Sequence, residues 1–471
     1  MVFVVIQQNA TDPDNVYKAL AGAVDEAYTL SIASNGHAFI TSVSSVGILR
    51  ALETLTQLFY QLSGSPDVYS PYAPVFISDA PKFTHRGLNL DVARNYYAPS
   101  DIMRTIDALS WNKFNRLHLH ATDGQSWPLD IPSLPGLSEK GAYMASLSYS
   151  PAVLAEIQEY GAYRGVQVLL EIDMPGHTSS IALSYPELIT AFNVQPDWYT
   201  YAAEPPSGSL KLNSSAVYDF LGKLWDDILP RVRPYTAYFH TGGDEVKANA
   251  YLLDETVRSN DSSVINPLLQ KFVDFNHAKV RAAGLTPIVW EEMLLDFNLT
   301  LGADVVVQTW QSDEAVLKTV QKGHKALVGN YNRWYLDCGH GQWLNFYPAS
   351  FQQFYPFSDY CSPLHNWRLI YAYDPLTNIP ANLTHLVLGG EVSMWSEQTD
   401  PVNVDDNVWP RAAAAAEVLW SGAKDAEGRN RSQVEASPRL SEWRERMVRR
   451  GIQAGPVQMV FCTQNGTQCA L

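Results

Sequence analysis

The sequence predicts an α/β protein: a (β/α)8 TIM barrel preceded by a small α/β domain. Eight short, near-continuous apolar runs alternate with helical patterns from residue 85 onward, as parallel strands buried on both faces require. In nearly every run the apolar half comes first and carboxylates, His, Trp or Tyr gather at the C-terminal end. A closed barrel collects eight such ends around one mouth, whereas an open doubly wound sheet, the competing architecture, would scatter them along an edge. Residues 1–82 follow a different rhythm and end in a stretch punctuated by Pro66, Pro71, Pro74 and Pro81.

Taken in order, the small domain reads as three strands and a helix. VFVVIQ, AYTLSI and HAFITSV are the strand-like runs. From Ser45 to Leu62, Val46, Leu49, Leu52, Leu55, Phe59 and Leu62 recur at three- and four-residue steps, with Ser44 or Ser45 placed to cap the N-terminus. The second unit, residues 83–471, holds the barrel, C-terminal helices and a tail. Its runs fall at 86–93, 114–123, 166–177, 236–245, 286–293, 303–310, 326–337 and 385–397.

Composition narrows the function. With 46% apolar and 17% charged residues the chain can bury a sizeable core. A net charge of -16, with the only basic run at Arg444, Arg446, Arg449 and Arg450 in a helical pattern that reads as a solvated face, excludes nucleic acid and anionic membrane as partners. No apolar run approaches the ~20 residues that cross a bilayer, so no membrane insertion is expected. Thirteen Trp and 25 Tyr point to carbohydrate, because aromatic faces stack on sugar C–H faces while excluding water.

Four cysteines form two local pairs, Cys338 with Cys361 and Cys462 with Cys469; free buried thiols are the alternative reading. Asn9, Asn213, Asn260, Asn298, Asn382, Asn430 and Asn465 each begin N-x-S/T without proline at x, which favours a secreted glycoprotein with two loop-closing disulfides. MVFVVIQQ lacks the features of a secretory leader, so the chain is expected to start downstream of one. Vacuolar or lysosomal residence is the other destination.

The densest chemical signal is His240-Thr-Gly-Gly-Asp244-Glu245, ending the fourth run. Side chains alternate faces along a strand, so adjacent acids share a pocket only where the strand has ended, and Gly242 and Gly243 permit that turn. An isolated Asp-Glu pair is more often a helix cap beside a solvated acid. The surrounding segments reverse that preference. HTGGDE, RGLNLDVARNYY (86–97), HATDGQSW (120–127) and MPGH (174–177) together resemble glycoside hydrolase family 20, the β-N-acetylhexosaminidases, from the N-terminal domain through the barrel.

The resemblance implies an exo-acting, retaining hydrolase of terminal β-linked GlcNAc or GalNAc, in which the substrate's own acetamide attacks through an oxazoline. Glu245 would be the acid/base, its pKa raised by burial and by Asp244. Asp244 would stay ionised and hold the acetamide N–H, and Tyr335 would hold the acetamide oxygen. Arg86, Asp337 and Glu397 would bind the outer hydroxyls; Asp123 and His177 would support the acid; His240 would belong to the substrate-binding set; Trp290, Trp310 and Trp395 would line the sugar. A zincin-like N-terminal domain, whole or truncated, and a homodimer are further implications. The substrate would be a glycan or chitooligosaccharide, and no cofactor or metal is expected.

Two rivals remain. His118-x-His120 with His177 and His240 could ligate a metal, but the fifth and sixth runs end in Trp290 and Trp310, which cannot. Alternatively His118 and His120 are satisfied core histidines. A sugar-binding protein on the same barrel would usually have lost the acid or its partner, and both are intact.

Overall fold

The computed structural model describes residues 3–62, 64–345, 358–464 and 469. The small domain is a four-stranded sheet in the order Phe3–Gln8, His37–Ser42, Tyr28–Ile32, Val75–Asp79, the first pairing parallel and the others antiparallel. Helix Ser45–Gln57 covers one face, capped by the Ser44 side chain, which accepts from the Gly47 N–H. Leu30, Ile32, Ala38 and Ile40 of the sheet pack with Ile48, Ala51 and Leu55 of the helix. The helix ends earlier than its apolar period because Tyr60–Gln61 is drawn into a short antiparallel pairing with Val68–Tyr69. Val75–Asp79, inside the proline-punctuated stretch, is a strand the sequence reading did not anticipate.

The eight apolar runs each supply one strand of a closed parallel barrel: His85–Asp91, Arg116–His120, Gln167–Glu171, Tyr238–His240, Thr286–Trp290, Val306–Thr309, Lys325–Val328 and Val387–Met394. The last strand closes on the first with Glu391 opposite Gly87. Leu169, Tyr238, Ile288, Val306, Leu327 and Leu388 form an apolar plug of their own inside the barrel. Further along four of these strands lie Glu171, His240, Gln308 and Glu391, and on the second strand His118, all buried polar residues.

A buried ionic cluster joins the two units. Glu26 accepts from Arg50 at 2.9 Å, Arg86 at 2.6 Å and the Asn115 amide at 3.1 Å. Trp420, at the end of helix Arg411–Ser421, belongs to the small domain's core and donates to Asp79 at 2.9 Å.

Disulfides join Cys338 to Cys361 and Cys462 to Cys469. Asn9, Asn213, Asn260, Asn298, Asn382 and Asn430 are all exposed, while Asn465 lies outside the described residues. Among the described residues no helix is long and apolar enough to cross a membrane.

Candidate active site

The barrel mouth opens into a cleft of about 340 Å³ lined by Arg94, His177, Glu204, Asp244, Glu245, Trp310, Tyr335, Trp395 and Glu397, with Trp343 and Tyr360 on its rim. The acids reach it because the chain breaks direction at the fourth strand's tip, where Gly242 has φ +67° and Gly243 φ +105°. A Cβ at Gly242 would stand 1.7 Å from Asp173 Oδ1 and 2.5 Å from its Cα, so only glycine fits. The Gly243 N–H donates to Asp173 Oδ1 at 2.8 Å, which anchors the turn, and Glu245 itself sits at φ +50°, a strained conformation for a side-chain-bearing residue.

Glu245 leans toward the mouth, its side chain 35% exposed, with Oε2 3.3 Å from His177 Nε2. His177 Nδ1 lies 3.1 Å from Asp123 Oδ1. Burial alone would discharge His177, but the Asp123 and Asp244 carboxylates overcome this and hold it cationic well above its ordinary pKa. The sequence expectation for the two acids is thereby reversed. Burial pushes Glu245 up, yet the hydrogen bond and charge of His177 outweigh it and leave the carboxyl below its ordinary value. Asp244 is pushed up, by burial first, with His177 only partly compensating. Its Oδ1 and Asp173 Oδ2 are both buried without a donor, and Asp173 is raised by burial and by the Asp244 charge, so this carboxylate pair favours a proton held between them.

The aromatic wall is continuous. Tyr335 stacks on Trp310 at 6.3 Å between centroids and 13° between planes, and meets Trp395 edge-on at 6.2 Å. Trp290 lies beneath, 1% exposed, its indole donating to Glu171 Oε1 at 2.7 Å; it packs against the cleft's lining instead of forming it. Glu292 fixes Trp310 by accepting its indole N–H at 2.9 Å. The Cys338–Cys361 disulfide belongs to this same cluster with Trp290, Tyr335 and Trp395.

Of the expected site residues, Asp244, Glu245, Tyr335, His177, Trp310, Trp395 and Glu397 converge on the cleft. Asp123 and His240 are buried behind it. Asp337 is also set back, its carboxyl pushed to about 7 by burial and by the charge of Asp359. Arg86 requires a correction. It sits near the start of the first strand and points outward, so its guanidinium is spent on Glu26 and on the Phe83 and Lys113 carbonyls, at the opposite end of the barrel from the mouth. The arginine in the cleft is Arg94, three residues beyond the strand's C-terminal end. It pairs with Asp123 at 2.9 Å and with Glu204, and lies over the Trp395 ring at 5.2 Å. Both arginines stand in the RGLNLDVARNYY segment, and the rule that barrel chemistry gathers past the C-terminal strand ends selects the second. Glu204, in a long loop after the third strand, carried no signal of that kind.

The metal reading also meets the geometry. His118, Glu171 and His240 bring ligand-type atoms within 4.8 Å of one another. Both nitrogens of His118 are already hydrogen-bonded to carboxylates, and its ring stacks on His240 at 4.8 Å rather than converging with it on a point.

Comparison with known proteins agrees with this geometry. A family model for the glycosyl hydrolase family 20 catalytic domain matches residues 83–423, and one for a beta-acetyl hexosaminidase-like domain matches residues 1–58. The chain is 49% identical to a beta-hexosaminidase of Arthroderma benhamiae over 95% of its own length and 74% of that protein's. It is 33% identical to a chitooligosaccharidolytic beta-N-acetylglucosaminidase of Ostrinia furnacalis, covering 96% of this chain and 76% of the relative. The solved structure of Flavobacterium johnsoniae chitobiase superposes with a TM-score of 0.76 at 28% identity, covering 95% of this chain and 63% of that one. An acid pair at the fourth strand tip of a closed barrel, walled by tryptophans and matched over most of its length by these relatives, places the chain in glycosyl hydrolase family 20, to which it belongs.

Proposed function

We propose that the chain is an exo-acting β-N-acetylhexosaminidase that releases terminal β-linked GlcNAc or GalNAc with retention, using the substrate's acetamide as nucleophile. The observation that carries this reading is the Asp244–Glu245 pair in an aromatic cleft with Tyr335 opposite. Glu245 gives its proton to the glycosidic oxygen as the acetamide oxygen attacks C1; the C1–O bond to the leaving group breaks and an oxazoline forms. Water then opens the oxazoline while Glu245 takes back a proton.

Substrate binding shifts both acids toward the charge states that the reaction needs. The acetamide N–H gives Asp244 the donor it is missing, which favours its ionised form, and the bound sugar displaces water from Glu245, which favours its protonated form. Tyr335 aims the acetamide oxygen, the tryptophans enclose the methyl group, and Arg94 with Glu397 holds outer hydroxyls. The relatives' names and the aromatic-walled cleft favour chitooligosaccharide or glycan ends as substrates. Secretion is the localisation that the disulfides and exposed sequons support, and a homodimer is part of the proposal. Paired aryl β-glycosides test the reading: the N-acetylglucosaminide should be cleaved and the plain glucoside, lacking nitrogen at C2, should not. Comparable rates on both would overturn it.

A further inference from the structure

The barrel interior holds ionisable groups that the chemistry above does not use. His85 Nε2 lies 2.7 Å from Glu391 Oε1, and Glu391 Oε2 lies 3.0 Å from His118 Nδ1. His118 Nε2 is 2.9 Å from Glu171 Oε2, which is 2.7 Å from His120 Nδ1. His120 Nε2 is 2.8 Å from Asp123 Oδ2, and Asp123 Oδ1 reaches His177. Carboxylates and imidazoles thus alternate without a break from the plugged end of the barrel to Glu245 at its mouth. None of the side chains before His177 is more than 1% exposed.

Such a line is an expensive way to fill a barrel. Branched aliphatic layers are the usual filling, and replacing buried ion pairs by well-packed apolar groups is often neutral or stabilising. The six-residue apolar plug shows that this barrel can be filled that way. The charges also alternate. Burial disfavours cationic His118 and His120, yet flanking carboxylates push His118 up to about 9 and His120 well above its ordinary value. Burial pushes Glu171 and Glu391 up, yet His240, His120 and His118 hold Glu171 well below its ordinary value, and His118 with His85 does the same for Glu391.

Resting on the reading that Glu245 is the acid, we propose that Glu391, His118, Glu171 and His120 are positioning residues that fix the charge of His177 through Asp123 and so set the pH at which Glu245 can donate. The other ionisable groups facing the line are Arg116 from the second strand beside His85 and Glu391, His240 from the fourth strand, Asp91 and Arg94 from the first strand's end, and Asp173, Asp244 and Glu204 beside His177. Glu245 is further faced by Lys247, Arg94 and Glu204.

The sign follows from charge. His120→Gln deletes a cation beside Asp123, so Glu245 holds its proton to higher pH and the alkaline limb of kcat/KM moves up. Glu391→Gln deletes an anion, so the same limb moves down. The amide oxygen can still accept from His118 and Gln308 while its nitrogen turns to His85, which keeps the packing intact. A unit charge across this buried distance corresponds to about half a pH unit or more.

The experiment is the pH profile of kcat/KM for the full chain and both variants on an aryl N-acetyl-β-glucosaminide. His277→Gln serves as control: that histidine is equally buried but bonds Thr241, outside the line. Opposite displacements in the two variants, with the control unmoved, support the assignment. Active variants whose limbs stay at the wild-type position overturn it while leaving the catalytic reading intact; an inactive wild type overturns the catalytic reading first. If His120→Gln fails to fold, Glu391→Gln decides alone.

Discussion

His177 Nε2 stands 3.3 Å from Glu245 Oε2, and this contact favours the ionised form of Glu245, the proposed general acid. Glu245 must be protonated to act on a leaving group, so its lowered pKa draws the alkaline limb of kcat/KM toward acid pH. His177→Asn removes the cation and should move that limb upward while kcat falls. The profile on an aryl substrate checks this, and a limb that moves downward would contradict the arrangement.

Removing either acid should separate binding from chemistry. Glu245→Gln should lower kcat by about 10³ and leave GlcNAc affinity within a few-fold of wild type by calorimetry. Asp244→Asn should abolish hydrolysis of N-acetyl sugars, and a thiazoline analogue of the oxazoline should inhibit the wild type far more strongly than free GlcNAc does. Equal affinity for the analogue and the sugar would remove substrate assistance.

The two arginines of the first segment should fail differently. Arg94→Ala should cost roughly tenfold to a hundredfold in kcat/KM from the loss of charge-assisted hydrogen bonds to the sugar, and should also lower Tm because Asp123 and Glu204 lose their buried cation. Arg86→Ala should leave kcat/KM near wild type and cost about 3–5 kcal/mol in stability, because Glu26 loses one of its two buried cationic partners. Burial pushes Glu26 up, but Arg86 and Arg50 bring it down from 4.5 to about 2. The cluster's stability is therefore full above pH 4.5 and lost as pH falls toward 2, and the Arg86 variant should show a weaker acid dependence in chemical denaturation.

Replacing Cys338 and Cys361 together by serine opens a loop of 23 residues' separation and should cost about 2–4 kcal/mol. Because this disulfide packs on Tyr335 and Trp395, KM should rise more than kcat falls. An unchanged KM would detach the rim from substrate binding.

The barrel was legible because parallel strands covered on both faces read as continuous apolar runs, and Gly242-Gly243-Asp244-Glu245 because no regular strand needs that order. Arg86 was misread for want of register: the segment contains two arginines, and only the strand's limits, His85–Asp91, tell which one faces the mouth. Glu171 and Glu391 were hidden since a carboxylate inside an apolar run gives no hint of the histidines it meets across the barrel. The strand Val75–Asp79 was masked by prolines that flank it rather than interrupt it. The charge states of Asp244 and Glu245 depend on Asp173 and His177, which the sequence places about 70 positions away.

Trp420 has a consequence for how this molecule is made. The indole completes the small unit's core from the far end of the chain, binds Asp79, and sits against the guanidinium of Arg86 at 5.0 Å and the ammonium of Lys113 at 4.3 Å. The small unit therefore cannot close its apolar interior before the barrel's last residues have arrived, whereas the barrel's main core is built from its own residues alone. A catalytic half synthesised without its leading sheet would present a bare tryptophan beside stranded cations, a surface suited to chaperones and proteases rather than to sugar.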